Sequence, residues 1–342
     1  MVHFDCDYMN GALPQVLQRL AETNMEANDG YGADKHCENA RRLIRAACEA
    51  PDAEVYFTVG GTQTNKIVID ALLDRFGGVM AAESAHINVH EAGAIENAGH
   101  KVLALPSYDG KIRAADLERY LADFYADDTY PHMVQPGAVY ISFPTEYGTL
   151  YTLAELEHIS AVCWKWCIPL YVDGARLGYG LVAEGNDVGL ADLARLTDVF
   201  YIGGTKQGAL FGEAVVINNP ARFRNFMTMM KMHGGLLAKG WLLGLQFETL
   251  FTDNLYAEAA RHAVDLAIKL RDAFAAKGYA PCIASPTNQQ FFRLPNALID
   301  RLSQTVSFQL WGPRGEAEST VRFVCSWATP AEAVAAVAKA LG

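Results

Sequence analysis

Long apolar runs are missing from this chain of 342 residues. None approaches the roughly 18 consecutive apolar residues that a membrane-spanning helix needs, so no membrane partner is expected. An excess of positive charge is missing as well. Lys and Arg number 28 against 39 Asp and Glu, for a net charge of −11. Nucleic-acid surfaces need clustered positive charge, so that class of partner is excluded. A disulfide framework is not indicated either. The seven cysteines, Cys6, Cys37, Cys48, Cys163, Cys167, Cys282 and Cys325, are odd in number and scattered. That usage suits free thiols in a reducing, cytoplasmic compartment. Cys163 and Cys167 lie near His158, but no second ligand pair follows, so no metal site is expected. The opening Met1-Val2-His3-Phe4-Asp5-Cys6-Asp7 places acids where a secretory leader would be apolar. No internal repeat or low-complexity tract is present.

Half of the chain (51%) is hydrophobic and 20% is charged, enough to bury a sizeable core. Strand-like runs fall at Glu54–Val59, Val79–Ala82, Lys101–Leu105, Ala138–Ser142, Ile168–Val172, Val199–Ile202 and Ala214–Ile217. Helical patterns such as Ala114–Phe124 and Leu153–Trp166 lie between most of them. The expected fold class is therefore α/β, a mostly parallel sheet with helices on both faces. After Pro220 the pattern shifts. Ala221–Met232 and Gly240–Lys277 read as helices, the second broken near Phe251–Asn254. Short strands around Phe291–Leu294 and Val321–Cys325 and a last helix, Pro330–Leu341, complete a smaller α+β C-terminal domain. The expected boundaries are a large domain over 51–245 and a small domain over 246–342. The first fifty residues, with helices at Pro14–Asn24 and Glu38–Ala50, are expected to pack with the small domain.

In such sheets ligands bind beyond the carboxyl ends of the strands. Three clusters fall there. Phe200-Tyr201-Ile202-Gly203-Gly204-Thr205-Lys206 sets one lysine just past an apolar strand and two glycines. Tyr171-Val172-Asp173-Gly174-Ala175-Arg176 ends another strand on an acid. A lysine and an acid so placed are what a pyridoxal 5′-phosphate (PLP) site requires. The lysine forms the Schiff base and the acid keeps the pyridine nitrogen protonated. Arg176 can alternatively serve as the structural ion-pair partner of Asp173. The third cluster, Gly60-Gly61-Thr62-Gln63-Thr64-Asn65, follows a strand and opens a helix, where unpaired N–H groups favour an anion. It also reads as an ordinary strand-helix turn capped by Thr62. It is not G-x-G-x-x-G, and a dinucleotide oxidoreductase is disfavoured. His86, just past the next strand, can lie on a cofactor ring or move protons; it can also serve as a cap or a core residue.

Together these segments resemble the threonine aldolases of the threonine aldolase/β-eliminating lyase group, PLP enzymes of the aspartate aminotransferase type of fold. The matching segments also include Glu91-Ala92-Gly93-Ala94, Gly99-His100-Lys101-Val102 and Phe211-Gly212-Glu213-Ala214, in family order. The resemblance implies that Lys206 carries the cofactor, Asp173 pairs with the ring nitrogen, Arg176 sits near the ring's phenolic oxygen and His86 stacks on the ring. It implies a phosphate site from Gly61, Thr62, Gln63 and Thr205. It implies a substrate site from Arg322, which grips the carboxylate, with Cys6, Asp7, Thr145 and Lys231. Lys239 and Tyr31 match residues near the site or the subunit interface. A homodimer or homotetramer, sites at the interface, is implied. The implied reaction is cleavage of L-threonine, L-allo-threonine and related β-hydroxy-α-amino acids to glycine and an aldehyde. β-Elimination from aromatic or sulfur amino acids is the rival chemistry on the same residues. Two positions depart from the family. Cys6-Asp7 stands where a serine-aspartate pair is usual. Phe143-Pro144-Thr145-Glu146-Tyr147-Gly148 lacks the histidine many members carry. His86, Thr145, Glu146 and a water are the candidates left for the hydroxyl proton.

Overall fold

The computed structural model describes residues 1–342. A two-residue strand, β1 (Val2–His3), precedes seven strands that form one sheet. These are β2 (Glu54–Thr58), β3 (Gly77–Ala82), β4 (Lys101–Leu105), β5 (Gln135–Ser142), β6 (Leu170–Asp173), β7 (Val199–Gly203) and β8 (Glu213–Ile217). Their order across the sheet is β2-β8-β7-β6-β5-β3-β4, and only β8 runs antiparallel to its neighbours. Strands β3, β6, β7 and β8 are buried along their whole length, which explains their near-continuous apolar sequence. Strand order reverses between β3 and β5, so the crevice beyond their carboxyl ends is where a ligand is expected.

Four short strands follow: β9 (Gln289–Pro295), β10 (Val306–Ser307), β11 (Gln309–Leu310) and β12 (Glu318–Val324). The antiparallel order β11-β12-β9 makes a second sheet, and β1 pairs with β10. A separate apolar core lies under this sheet, built from Phe274, Phe292, Phe323 and their neighbours. The α/β reading with a smaller α+β region therefore describes the chain. No helix is long and apolar enough to cross a membrane.

The N-terminal fifty residues divide differently from the expectation. Phe4 enters the smaller core, whereas the helices Pro14–Thr23 and Lys35–Ala47 pack into the larger one through Val16, Cys37, Ala40 and Ile44. The cause is a close helix contact. A Cβ at Gly244, in the helix Trp241–Leu250, would come within 2.4 Å of Cys37 Sγ. The helix Lys35–Ala47 starts three residues before the expected Glu38, where Asp34 caps it by accepting from Cys37 N at 2.8 Å. Such a cap contributes about 1 kcal/mol. The pattern over 221–232 resolves into a 3-10 turn, Pro220–Arg222, and a helix, Phe226–Met232, with Asn225 left-handed between them. The break expected near 251–254 falls between the helices Trp241–Leu250 and Leu255–Ala275, where Asp253 and Asn254 have positive φ.

Candidate active site

Lys206, Asp173, Arg176, His86 and Gly61 border one small cleft, together with Glu91, Ser142, Thr145, Glu146 and Tyr201. The sheet brings them there. Asp173 ends β6, and Lys206 follows β7, its neighbour in the sheet. The two turns touch so closely that a Cβ on Gly174 would lie 1.8 Å from Tyr201 O, and one on Gly203 2.4 Å from Ala175 O. No residue larger than glycine fits either place.

Asp173 is buried and satisfied. Tyr140 Oη and Asn65 Nδ2 donate to its Oδ2 at 2.6 and 3.0 Å; Tyr201 Oη and Ala175 N donate to Oδ1 at 2.6 and 2.9 Å. Burial alone would raise its pKa, but the tyrosine and amide donors prevail and hold it below the ordinary carboxylate value. The acid therefore stays ionised although it is buried. Asn65 links it to a second acid: its Nδ2 also donates to Glu91 Oε1 at 2.7 Å, and Tyr171 Oη donates to Asn65 Oδ1 at 2.7 Å. His86 Nδ1 donates to the same Glu91 oxygen at 2.7 Å, which fixes the tautomer and leaves Nε2 without a protein partner.

Lys206 Nζ makes no hydrogen bond or ion pair, and burial together with the charge of Arg176 lowers its pKa. An amine so placed is shifted toward its neutral, nucleophilic form. At the start of the helix Gly61–Leu72, the N–H groups of Gly61, Thr62 and Gln63 have no acceptor within the protein, and the Thr62 hydroxyl is free. An unpartnered lysine, an ionised acid and an unsatisfied helix N-terminus around one cleft form the donor set that PLP would fill. The residues fit that group.

Several implied site residues are placed otherwise. The Thr205 hydroxyl donates to Glu213 Oε1 at 2.8 Å and its N–H to Gly212 O at 3.1 Å, so neither reaches out to a phosphate; Thr205 braces the lysine turn instead. Gln63 Oε1 accepts from Val59 N at 3.2 Å and its Nε2 donates to His233 O at 3.5 Å, so the side chain is engaged by the protein while the main-chain N–H of Gln63 is free for an anion. Asp7 does not face the cavity. Arg176 Nε and Nη2 donate to its two oxygens at 2.7 and 2.9 Å, and Asn288 Nδ2 donates to it at 2.9 Å. Asp7 is thus the counterion that keeps Arg176 charged against the cost of burial, and Asp173 is not the ion-pair partner of Arg176. The Thr145 hydroxyl is committed to Thr149 Oγ1 at 2.6 Å and accepts from two main-chain amides. Cys6 is half-buried outside the lining of the cavity, and Lys231 is exposed with Nζ 4.7 Å from the Tyr31 ring centroid.

Arg322 rises from β12 and also stands outside the cavity lining. Its Nη1 donates to Gln289 Oε1 at 2.9 Å, its Nη2 to Gln309, and its guanidinium lies 4.8 Å from the Trp311 ring centroid. Nε is buried without a partner. Burial, followed by repulsion from Arg176, brings its pKa down to about 10.

The supporting residues Asn65, Glu91, Tyr140, Tyr171, Tyr201 and Glu213 had no role assigned from sequence. The available signal was Tyr140 and Tyr201 inside apolar strands, since a buried hydroxyl needs a partner. Glu213 ends the network. It accepts from Gly204 N at 2.9 Å and from Thr205, and burial pushes its pKa up to about 7.

A family model described as β-eliminating lyase matches residues 4–292. A low specificity L-threonine aldolase of Pseudomonas aeruginosa is 30% identical over 98% of this chain and 96% of its own. The solved structure of a Leishmania major threonine aldolase superposes with a TM-score of 0.96 at 43% identity, covering 100% of this chain and 98% of that one. A Thermus thermophilus aspartate aminotransferase, at 15% identity, covers 99% of this chain and 90% of its own with a TM-score of 0.70, and shares the fold.

Proposed function

The chain belongs to the β-eliminating lyase family, among its threonine aldolases, and from that premise we propose that it cleaves β-hydroxy-α-amino acids such as L-threonine and L-allo-threonine to glycine and an aldehyde. PLP, the cofactor of the family, supplies a conjugated ring that accepts the electron pair released at the substrate α-carbon.

Every other part falls to the protein. Lys206 would hold the cofactor through its unpartnered amine. Asp173, kept ionised by four donors, would favour a protonated ring nitrogen. The N–H groups of Gly61, Thr62 and Gln63, with the Thr62 hydroxyl, would hold the phosphate. Arg176, whose Nε and Nη2 are taken by Asp7, has Nη1 left to offer the cofactor. His86, oriented by Glu91, would lie against the ring. Arg322 receives the substrate carboxylate, and that anchor sets which bond at the α-carbon is broken.

The observation that carries this reading is the cleft shared by Lys206 and Asp173 in a chain that aligns with threonine aldolases over its whole length. Assay of the products tests it: aldehyde and glycine support cleavage, whereas ammonia without aldehyde supports elimination. A homodimer or homotetramer with sites at the interface is part of the proposal. The exposed Tyr31, which matches the family's interface loop, supports it. Seven free cysteines suit a cytoplasmic setting.

A further inference from the structure

Besides Asp7, which Arg176 holds, four acids come close to the Lys206 site, and three of those have an evident structural reason to be there. Asp173 has four donors. Glu91 pairs with His86 and Asn65. Glu213 braces the lysine turn. The fourth, Glu146, borders the cavity with no cation beside it. Its Oε1 is held by Ser142 Oγ at 2.7 Å and His86 N at 2.9 Å, and no other residue donates to its Oε2. Taking a carboxylate out of water without a cation is costly, and a fold retains such a group where chemistry uses it.

Its place is informative. Glu146 lies in the turn after β5, and the N–H it binds belongs to the turn after β3. These turns flank the point where strand order reverses. The other candidate in that turn, Thr145, has its hydroxyl proton committed to Thr149. Oε2 of Glu146 is then the turn's one acidic or hydroxylic oxygen at the cavity with a free lone pair.

On the reading that the enzyme cleaves β-hydroxy-α-amino acids, we propose that Glu146 is the catalytic residue that removes the β-hydroxyl proton, with Oε2 as the acceptor. The balance closes. Oε2 takes the proton, the O–H electron pair becomes the second C–O bond of the departing aldehyde, and the Cα–Cβ pair stays with Cα. One proton then returns to Cα, giving glycine, and Glu146 releases its own, so no redox partner is needed. The surroundings strengthen Glu146 as a base. Burial raises its pKa; Ser142, its own main-chain amide and the His86 amide oppose that, and the negative charge of Asp173 adds to it. Tyr140 and Tyr151, also close to Glu146, have their pKa values raised and stay neutral; His86, Glu91, Arg176 and Lys206 are the remaining charged or titratable groups around the cavity.

The test is Glu146→Gln, which keeps an oxygen for Ser142 and the His86 amide but cannot take a proton. Three properties are read on the PLP-loaded enzyme: the visible band of the bound cofactor, exchange of the glycine α-hydrogen with deuterated water, and aldehyde release from L-threonine and L-allo-threonine. Exchange uses the lysine, the acid and the carboxylate site but no β-hydroxyl. The expected result is an unchanged band, exchange within about threefold of wild type, and cleavage reduced by about a hundredfold or more. The acid limb of the wild-type cleavage profile should also lie above the ordinary carboxylate value and vanish in the variant. Cleavage near the wild-type rate overturns the role, as does a parallel fall of exchange and cleavage, which marks Glu146 as structural. A wild-type enzyme that exchanges glycine yet releases no aldehyde overturns the proposed function itself. That failure is seen without the variant and is separate from a failure of Glu146.

Discussion

Arg176 holds Asp7 with two nitrogens, Nε at 2.7 Å and Nη2 at 2.9 Å, and the Asp7 side chain has no exposed surface. The pair ties the N-terminal segment to the turn after β6, and Asn288 joins it from the smaller core's side. Breaking a buried pair by removing one partner costs about 3–5 kcal/mol, because the other charge is left stranded. Asp7→Asn should therefore lower the unfolding free energy by about that amount in denaturant titration. A loss below about 1 kcal/mol, as for an exposed pair, would mean that Arg176 finds water or another anion.

Lys206 has no partner that would be left unsatisfied by its removal. Lys206→Ala should fold as well as wild type by thermal melting, lose the visible band of bound cofactor, and lose activity by on the order of a thousandfold or more. A retained band would assign the cofactor to another amine.

The strands of the large sheet were readable because buried strands are written as continuous apolar runs. Asp173 and Lys206 stood out for the same reason, since a charged residue closing such a run needs an explanation. The hydrogen-bond wiring was not readable. Asn65 joins Glu91 and Asp173 across 26 and 108 positions, and Arg176 meets Asp7 across 169. Nothing local encodes those distances. Thr205 and Thr145 both looked like free hydroxyls, yet the oxygens that claim them were assigned only by the register of β8 and by the turn at Thr149.

Glu213 predicts a pH dependence of stability. Its pKa is about 7 in the folded chain, above the ordinary glutamate value of 4.5. The folded state then binds more protons than the unfolded state between those values, so stability is full below pH 4.5 and falls as pH rises toward 7. The contribution lost is about 3 kcal/mol. Other carboxylates, such as Asp173, act in the opposite sense, so the comparison must be with Glu213→Gln. Between pH 5 and pH 8 wild type should lose about 2–3 kcal/mol of unfolding free energy relative to that variant. Parallel curves for the two proteins would contradict the shift.

Arg322 has Nη1 and Nη2 aligned by Gln289 and Gln309, while its unpaired Nε is buried. A lysine keeps the charge and loses the fork. Arg322→Lys should raise KM for the amino acid by about a hundredfold, with a smaller change in kcat, in steady-state assays. An unaltered KM would place the carboxylate elsewhere.

The central claim is the bond that breaks. Purified, PLP-loaded enzyme is given L-threonine and, separately, L-allo-threonine, and glycine, acetaldehyde and ammonia are measured together over time. Cleavage between Cα and Cβ predicts glycine and acetaldehyde in equal amounts and no ammonia. Ammonia with a 2-oxo acid, and no aldehyde, would contradict it.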